Sequence, residues 1–133
     1  MKRKKKEPVV FRKPKPKLPP HRIALDAFEK LKNEKLWQQG RIKDYHSEIS
    51  DILRVYIEGT YNIAAMEMTT WEIIRSFAGA KIEQANLEKL RQILEMADLV
   101  KFAAHRPRQE DVDASIERAR AFIGIFWNQE QAA

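Results

Sequence analysis

The placement of proline is the feature that most restricts how this chain of 133 residues can fold. Five of its six prolines lie within the first 20 residues and the sixth is Pro107, so residues 21–106 contain none. Proline breaks helix interiors, and the apolar residues of the proline-free stretch recur at the three- and four-residue spacing of a helix face. We therefore predict an all-α protein, with an arm over residues 1–20 and a single-domain bundle of about five helices over residues 21–133.

The second predicted helix carries the strongest periodic signal. Its apolar stripe consists of Ile42, Tyr45, Ile49, Ile52, Leu53, Tyr56 and Ile57. The opposite face, predicted to be exposed to solvent, consists of Lys43, Asp44, Glu48, Asp51 and Arg54. Because glycine is common just past a helix, we expect Gly59 to end this helix and Gly40 to end the preceding one, which begins near Pro20.

The other three helices are predicted from capping and breaking signals. Thr69 and Glu72 are spaced as a capping box, which begins the third helix, and Gly79 closes it. The fourth helix covers residues 83–102, and a fifth follows Pro107. The apolar stripe of the fourth helix is predicted to contain Leu87, Leu90, Ile93, Leu94, Ala97, Leu99 and Val100.

The arm concentrates the positive charge of the chain. Its nine basic residues, against one acid, give the arm a charge of +8 and leave −2 on residues 21–133, since the whole chain carries +6. We predict that these residues contact an anionic surface: Lys2, Arg3, Lys4, Lys5, Lys6, Arg12, Lys13, Lys15 and Lys17. Alternating lysine and proline predict an extended, disordered segment that reaches about 60 Å.

Three partners suit such an arm. A polybasic segment beside a membrane binds anionic lipid, an arm of this charge binds nucleic acid in a salt-dependent way, and a basic 5-mer also fits a nuclear localisation signal. Nucleic acid is the less favoured partner, because Phe11 is the only aromatic residue of the arm on which a base can stack.

The sequence gives little support for catalysis or for a metal. It contains no cysteine, its three histidines are far apart, and it has no glycine-rich phosphate loop. Carboxylate pairs such as Asp44 and Glu48 are common on solvated helices and do not indicate a metal pair without further ligands. We therefore expect no catalytic residues, no cofactor and no metal site.

Two further groups of residues are ambiguous from sequence. Asp98 and Lys101 interrupt an apolar stretch, and we favour an ion pair on the helix face over a partly buried pair that fixes how the fourth helix meets the second. Trp37, Trp71 and Trp127 are expected in the core or at its rim, with Trp127 the most exposed of the three.

Three motifs follow one another along the chain. The first comprises Leu36, Trp37, Gly40, Lys43, Tyr45, Ile49, Ser50, Asp51, Ile52, Leu53, Arg54, Tyr56, Ile57 and Glu58. The second comprises Ala65, Glu67, Thr69, Thr70, Glu72 and Ile73, and the third comprises Leu94, Ala97, Asp98, Leu99, Val100, Lys101, Phe102, Ala103 and Pro107. In order and spacing they resemble the cytoplasmic tail region of Bat-type membrane proteins, which are encoded in bacterial aerotolerance operons.

The resemblance covers about residues 20–125 and implies a role and a location. It implies a non-enzymatic interaction or scaffold domain at the cytoplasmic face of the bacterial inner membrane, following a transmembrane helix upstream of Met1. The positive-inside rule is consistent with that placement of the arm. Since these operons also encode a MoxR-type AAA ATPase and von Willebrand A proteins, the resemblance suggests one of these as the protein partner. The alternative is a soluble nucleic-acid-associated protein tethered by its arm.

Overall fold

The computed structural model describes residues 18–80 and 82–132, with side chains up to residue 125. These residues form five α-helices, two short 3₁₀ helices and no β-strand. The α-helices are α1 (Pro20–Glu34), α2 (Ile42–Tyr61), α3 (Thr70–Ser76), α4 (Gln84–Phe102) and α5 (Gln109–Ala132), and the 3₁₀ helices are Leu36–Gln39 and Ala65–Glu67. The predicted all-α bundle of five helices is confirmed, whereas the predicted disorder of the arm concerns residues outside the described ranges.

Helix α2 is the centre of the bundle and packs against α1, α4 and α5. The apolar stripe predicted for it is confirmed, because Tyr45, Ile49, Leu53, Tyr56 and Ile57 are at most 2% exposed. Side chains from all five helices join these residues in one buried cluster. None of the helices in the described ranges is both long enough and apolar enough to cross a membrane.

The prediction that Gly59 ends the second helix is wrong. Gly59 lies inside α2, which continues to Tyr61 and ends with Asn62 in the left-handed conformation at φ 57°. A Cβ atom on Gly59 would lie 3.3 Å from Cγ of Pro20, the first residue of α1. The glycine therefore serves a close approach between two helices rather than a helix stop.

The prediction that Gly40 ends the first helix is also wrong. Helix α1 ends at Glu34, and Lys35 takes the left-handed conformation at φ 54°. The chain then forms the 3₁₀ helix, which buries Leu36, and Gly40 at φ 76° ends that 3₁₀ helix. The apolar contact of Leu36 thus explains why the chain turns before the glycine.

The predicted capping box of the third helix is confirmed. The Thr69 hydroxyl accepts a hydrogen bond from the Glu72 amide at 3.1 Å, and the Glu72 carboxylate accepts one from the Thr69 amide at 2.9 Å. The prediction that Gly79 closes this helix is wrong, because α3 ends at Ser76 with Phe77 as its C-cap and Gly79 lies in the turn that follows.

Helices α4 and α5 complete the core. Their fully or nearly buried apolar residues are Leu87, Leu90, Leu94, Ala97, Val100, Val112, Ile116, Ala119, Phe122 and Ile123. Leu99 was predicted in the α4 stripe but is 46% exposed. One residue corresponds to 100° of helix rotation, so Leu99 points away from the core that its neighbour Val100 joins.

Candidate functional site

Arg54 is buried on one flank of α2, which corrects its predicted place on the solvent face. Its Nε donates to Ser50 Oγ at 2.9 Å, and its Nη1 donates to the carbonyl of Ala65 at 2.8 Å and to that of Met68. The connection between α2 and α3 therefore crosses this flank. Arg54 donates to the Met68 carbonyl and gives the Ala65 carbonyl, which also accepts from the Met68 amide, a second donor.

Asp98 holds the start of α3 against the end of α4. The Thr70 hydroxyl donates to the Asp98 carboxylate at 2.7 Å, and Thr70 is buried. Asp98 and Lys101 both lie in the described part of the chain and form no ion pair there, so neither predicted form of that pair is present. The Lys101 ammonium lies instead 5.2 Å from the ring centroid of Phe102.

These contacts form the walls of a cleft of about 450 Å³, which we call the α2–α4 cleft. It is lined by Ser47, Ser50, Asp51, Arg54, Met66, Met68, Thr69, Thr70, Ala97, Asp98, Lys101 and Phe102. Five of the residues singled out from the sequence meet here, namely Asp51, Arg54, Thr69, Asp98 and Lys101. They come from α2, the connection that follows it, and α4, so the fold joins the three sequence motifs at one place.

Large apolar side chains are exposed at and beside this cleft. Phe102 is 76% exposed and Met66 is 43% exposed, and both line the cleft. Trp71 on α3 does not line the cleft but follows the lining residue Thr70 in sequence, and it is 66% exposed, with the Arg75 guanidinium 5.6 Å from its ring centroid. The prediction that Trp71 belongs to the core or its rim is therefore wrong.

The other predicted residues lie away from the cleft. Tyr45 is buried, its hydroxyl donates to the carbonyl of Val112 at 2.9 Å, and burial raises its pKa to about 12. The Trp37 ring packs 5.0 Å from that of Tyr45, as a residue at the rim of the core. Tyr56 belongs to the core, whereas Gly40 and Lys43 are exposed. The nine basic residues of the arm and the side chain of Trp127 lie outside what the structure describes.

His46 is a buried titratable group that the sequence analysis did not single out. It is 2% exposed, and its Nε2 has no hydrogen-bond partner among the described residues. Burial lowers its pKa to about 4, and the charge of His105 adds to this effect. His46 lies four residues after Ile42 and three residues before Ile49, and this helical spacing is the sequence signal that places it beside the apolar stripe.

The chemistry of the α2–α4 cleft combines an apolar rim with charges of both signs. Asp51 and Asp98 bring carboxylates to it, and Lys101 brings an ammonium group. Across the ranges that the structure describes, no group of three or more His, Asp or Glu side chains is placed to hold a metal ion. The arrangement suits contact with a segment of another macromolecule that has both apolar and charged side chains.

Comparisons with protein-family models, with curated proteins and with solved structures found no match to this chain. The resemblance to Bat-type tails accordingly remains a prediction from the three sequence motifs.

Proposed function

We propose that this chain is a non-enzymatic protein-interaction domain and that its partner binds at the α2–α4 cleft. The observation that carries the proposal is the meeting of three separate sequence motifs at one cleft lined by exposed Met66 and Phe102, with exposed Trp71 one residue after the lining residue Thr70. Exposed clusters of large apolar residues are unusual on soluble proteins and mark surfaces that another molecule covers.

The composition of this surface favours a protein partner. Tryptophan, phenylalanine and methionine are enriched in the buried centres of protein interfaces, and aromatic residues there often carry much of the binding energy. The backbone segments that carry these three side chains are held by hydrogen bonds. Arg54 donates to the connection before α3, and the hydrogen bond from Thr70 to Asp98 joins α3 to α4. A surface held in this way loses little conformational entropy when a partner binds.

The resemblance suggests which partner to test first. We propose a MoxR-type AAA ATPase or a von Willebrand A protein, met by this domain at the cytoplasmic face of the bacterial inner membrane. The arm, with its charge of +8, then serves as the link to the anionic membrane surface.

The test is direct binding of the full chain to purified MoxR-type ATPase and von Willebrand A protein from the same organism. We expect Phe102→Ser and Trp71→Ser each to weaken binding by about tenfold or more, because truncating an interface hot spot commonly costs about 2 kcal/mol. Val55→Ser is the matched control, since Val55 is also exposed, at 49%, but lines a different surface.

Circular dichroism must show that all three variants keep the helical content of the unmodified chain. The proposal is contradicted if Phe102→Ser and Trp71→Ser bind as tightly as the unmodified chain, or if Val55→Ser weakens binding equally.

A further inference from the structure

A second surface lies between α1 and α2, and we call it the α1–α2 groove. It encloses about 460 Å³ and is lined by Leu18, Pro20, Ile23, Ala24, Ala27, Glu48, Asp51, Ile52, Val55, Tyr56 and Gly59. Leu18, Ile23 and Val55 are 46%, 39% and 49% exposed, so three of the seven large apolar side chains exposed in the described ranges belong to this groove.

The groove results from small residues on both helices. Ala24 and Ala27 form the α1 side, and Gly59 allows Pro20 to approach α2 closely. Small side chains leave a channel between two packed helices where larger ones would fill it. Leu18 stands at this surface directly before α1, where the chain enters from the arm.

The charged residues of the groove are all acidic. Glu48 and Asp51 are the carboxylates among its lining residues, and no lysine, arginine or histidine lines it. Neither carboxylate forms an ion pair with any residue that the structure describes. An occupant that is apolar at its centre and basic on either side therefore complements this groove.

We propose that residues 6–12 of this chain's own arm bind in the α1–α2 groove. Val9, Val10 and Phe11 form the apolar run of the arm, and the basic residues Lys6 and Arg12 lie on either side of it. Glu7 offsets Lys6 within this segment, but four further basic residues precede it and Arg12 follows the run, so the flanks are net positive where the groove is acidic.

The length of the arm permits this contact. Seven residue steps separate Phe11 from Leu18, and they extend about 22 Å at about 3.1 Å per residue. The α2 side of the groove, from Glu48 to Gly59, is about 16 Å long at 1.5 Å per residue. The arm is thus long enough to turn back at Leu18 and lie along the groove.

The bound arm is a shorter spacer than the free one. When the arm lies on α1 and α2, the bundle stays close to any surface that the rest of the arm contacts. Release of the arm increases the distance over which the bundle can move from that surface. The groove shares Asp51 alone with the lining of the α2–α4 cleft, and this inference does not depend on the partner proposed for that cleft.

The absence of cysteine allows a sharp test on the full chain. A nitroxide spin label attached to the variant Lys13→Cys broadens the NMR signals of amides near it. We expect the signals of Ile23, Ala27 and Val55 to broaden more than those on the α4 and α5 surfaces. Adding Phe11→Ser to the labelled chain should remove this selectivity.

Charge variants test the complementarity. The pair Glu48→Gln and Asp51→Asn should reduce the equilibrium constant for arm binding about fivefold, the effect of two exposed ion pairs. The pair Glu67→Gln and Glu83→Gln makes the same change of charge at exposed positions outside the groove lining and should leave the broadening unchanged.

Two results overturn the inference. The first is broadening that is uniform over the domain or strongest on another surface. The second is equal broadening when the spin label and the isotope label are on different molecules, because the occupant is then the arm of a second copy.

Discussion

We expect acid to destabilise this protein through His46, between pH 6.5 and pH 4. The folded protein holds His46 neutral down to a pKa of about 4, because its side chain is buried and His105 lies near it. Arg118, Lys89 and Glu95 line the same depression between α4 and α5. In the unfolded chain the imidazole binds a proton already below pH 6.5.

The magnitude follows from the difference between the two pKa values. Since the unfolded state binds more protons in this range, the free energy of unfolding falls as the pH falls. A difference of 2.5 pKa units, from 6.5 to about 4, lowers the free energy of unfolding by about 3 kcal/mol once the pH is well below 4. About 2 kcal/mol of this decrease has occurred by pH 5. This is a large fraction of the stability of a typical domain.

Urea denaturation at pH 7.5, 6, 5 and 4.5 measures this loss. The variant His46→Leu cannot titrate, and it also removes a buried nitrogen without a partner, so the loss between pH 7.5 and 5 should shrink by about 2 kcal/mol. The variant His105→Gln is the control, because His105 is exposed and should leave most of the loss in place. If His46→Leu retains the full pH dependence of the unmodified chain, the assignment to His46 is refuted.

Three further outcomes are expected. Leu53→Ala should lower the free energy of unfolding by about 2–5 kcal/mol, because Leu53 is fully buried. Val55 lies on the exposed side of the same helix, so Val55→Ala should change the free energy of unfolding by less than about 0.5 kcal/mol. Arg54→Leu should lower the free energy of unfolding by about 1–3 kcal/mol in urea denaturation, since it leaves the Met68 carbonyl without its donor and the Ala65 carbonyl with the Met68 amide alone, and an unchanged midpoint would show that these bonds contribute nothing. The full chain should bind vesicles that contain anionic lipid, release them above about 0.15 M salt and not bind neutral vesicles. Binding to nucleic acid that survives this salt and needs residues 21–133 would contradict the proposed membrane contact.

The helices themselves were predictable because their signals are local. The stripe of α2 follows from apolar spacing, and the capping box at Thr69 and Glu72 follows from two residues three apart. The stop predicted at Gly59 was wrong because this glycine allows the close approach of Pro20, a residue 39 positions earlier in the sequence. Local patterns do not record such a contact.

The cleft could be predicted only in part, for the same reason. Periodicity placed Arg54 on the charged face of α2, but it gave no sign that the connection after α2 returns over that flank and accepts hydrogen bonds from Arg54. The sequence predicted that Asp98 pairs with Lys101, three residues later on the same helix. Asp98 instead accepts a hydrogen bond from Thr70, 28 residues away in sequence. The motifs named many of the residues of the cleft but not their partners.

The contact between Pro20 and Gly59 has a mechanical consequence. The start of α1 lies against the end of α2, so a force directed along the α1 axis would act on α1 where the bundle holds it. Ala24, Phe28 and Leu31 are buried along this axis and must slide past their neighbours together, instead of detaching one after another. Loading in shear of this kind spreads force over the whole helix, and resistance to it is a matter of unfolding rate. The bundle would thus resist a force directed along α1 through several buried contacts at once.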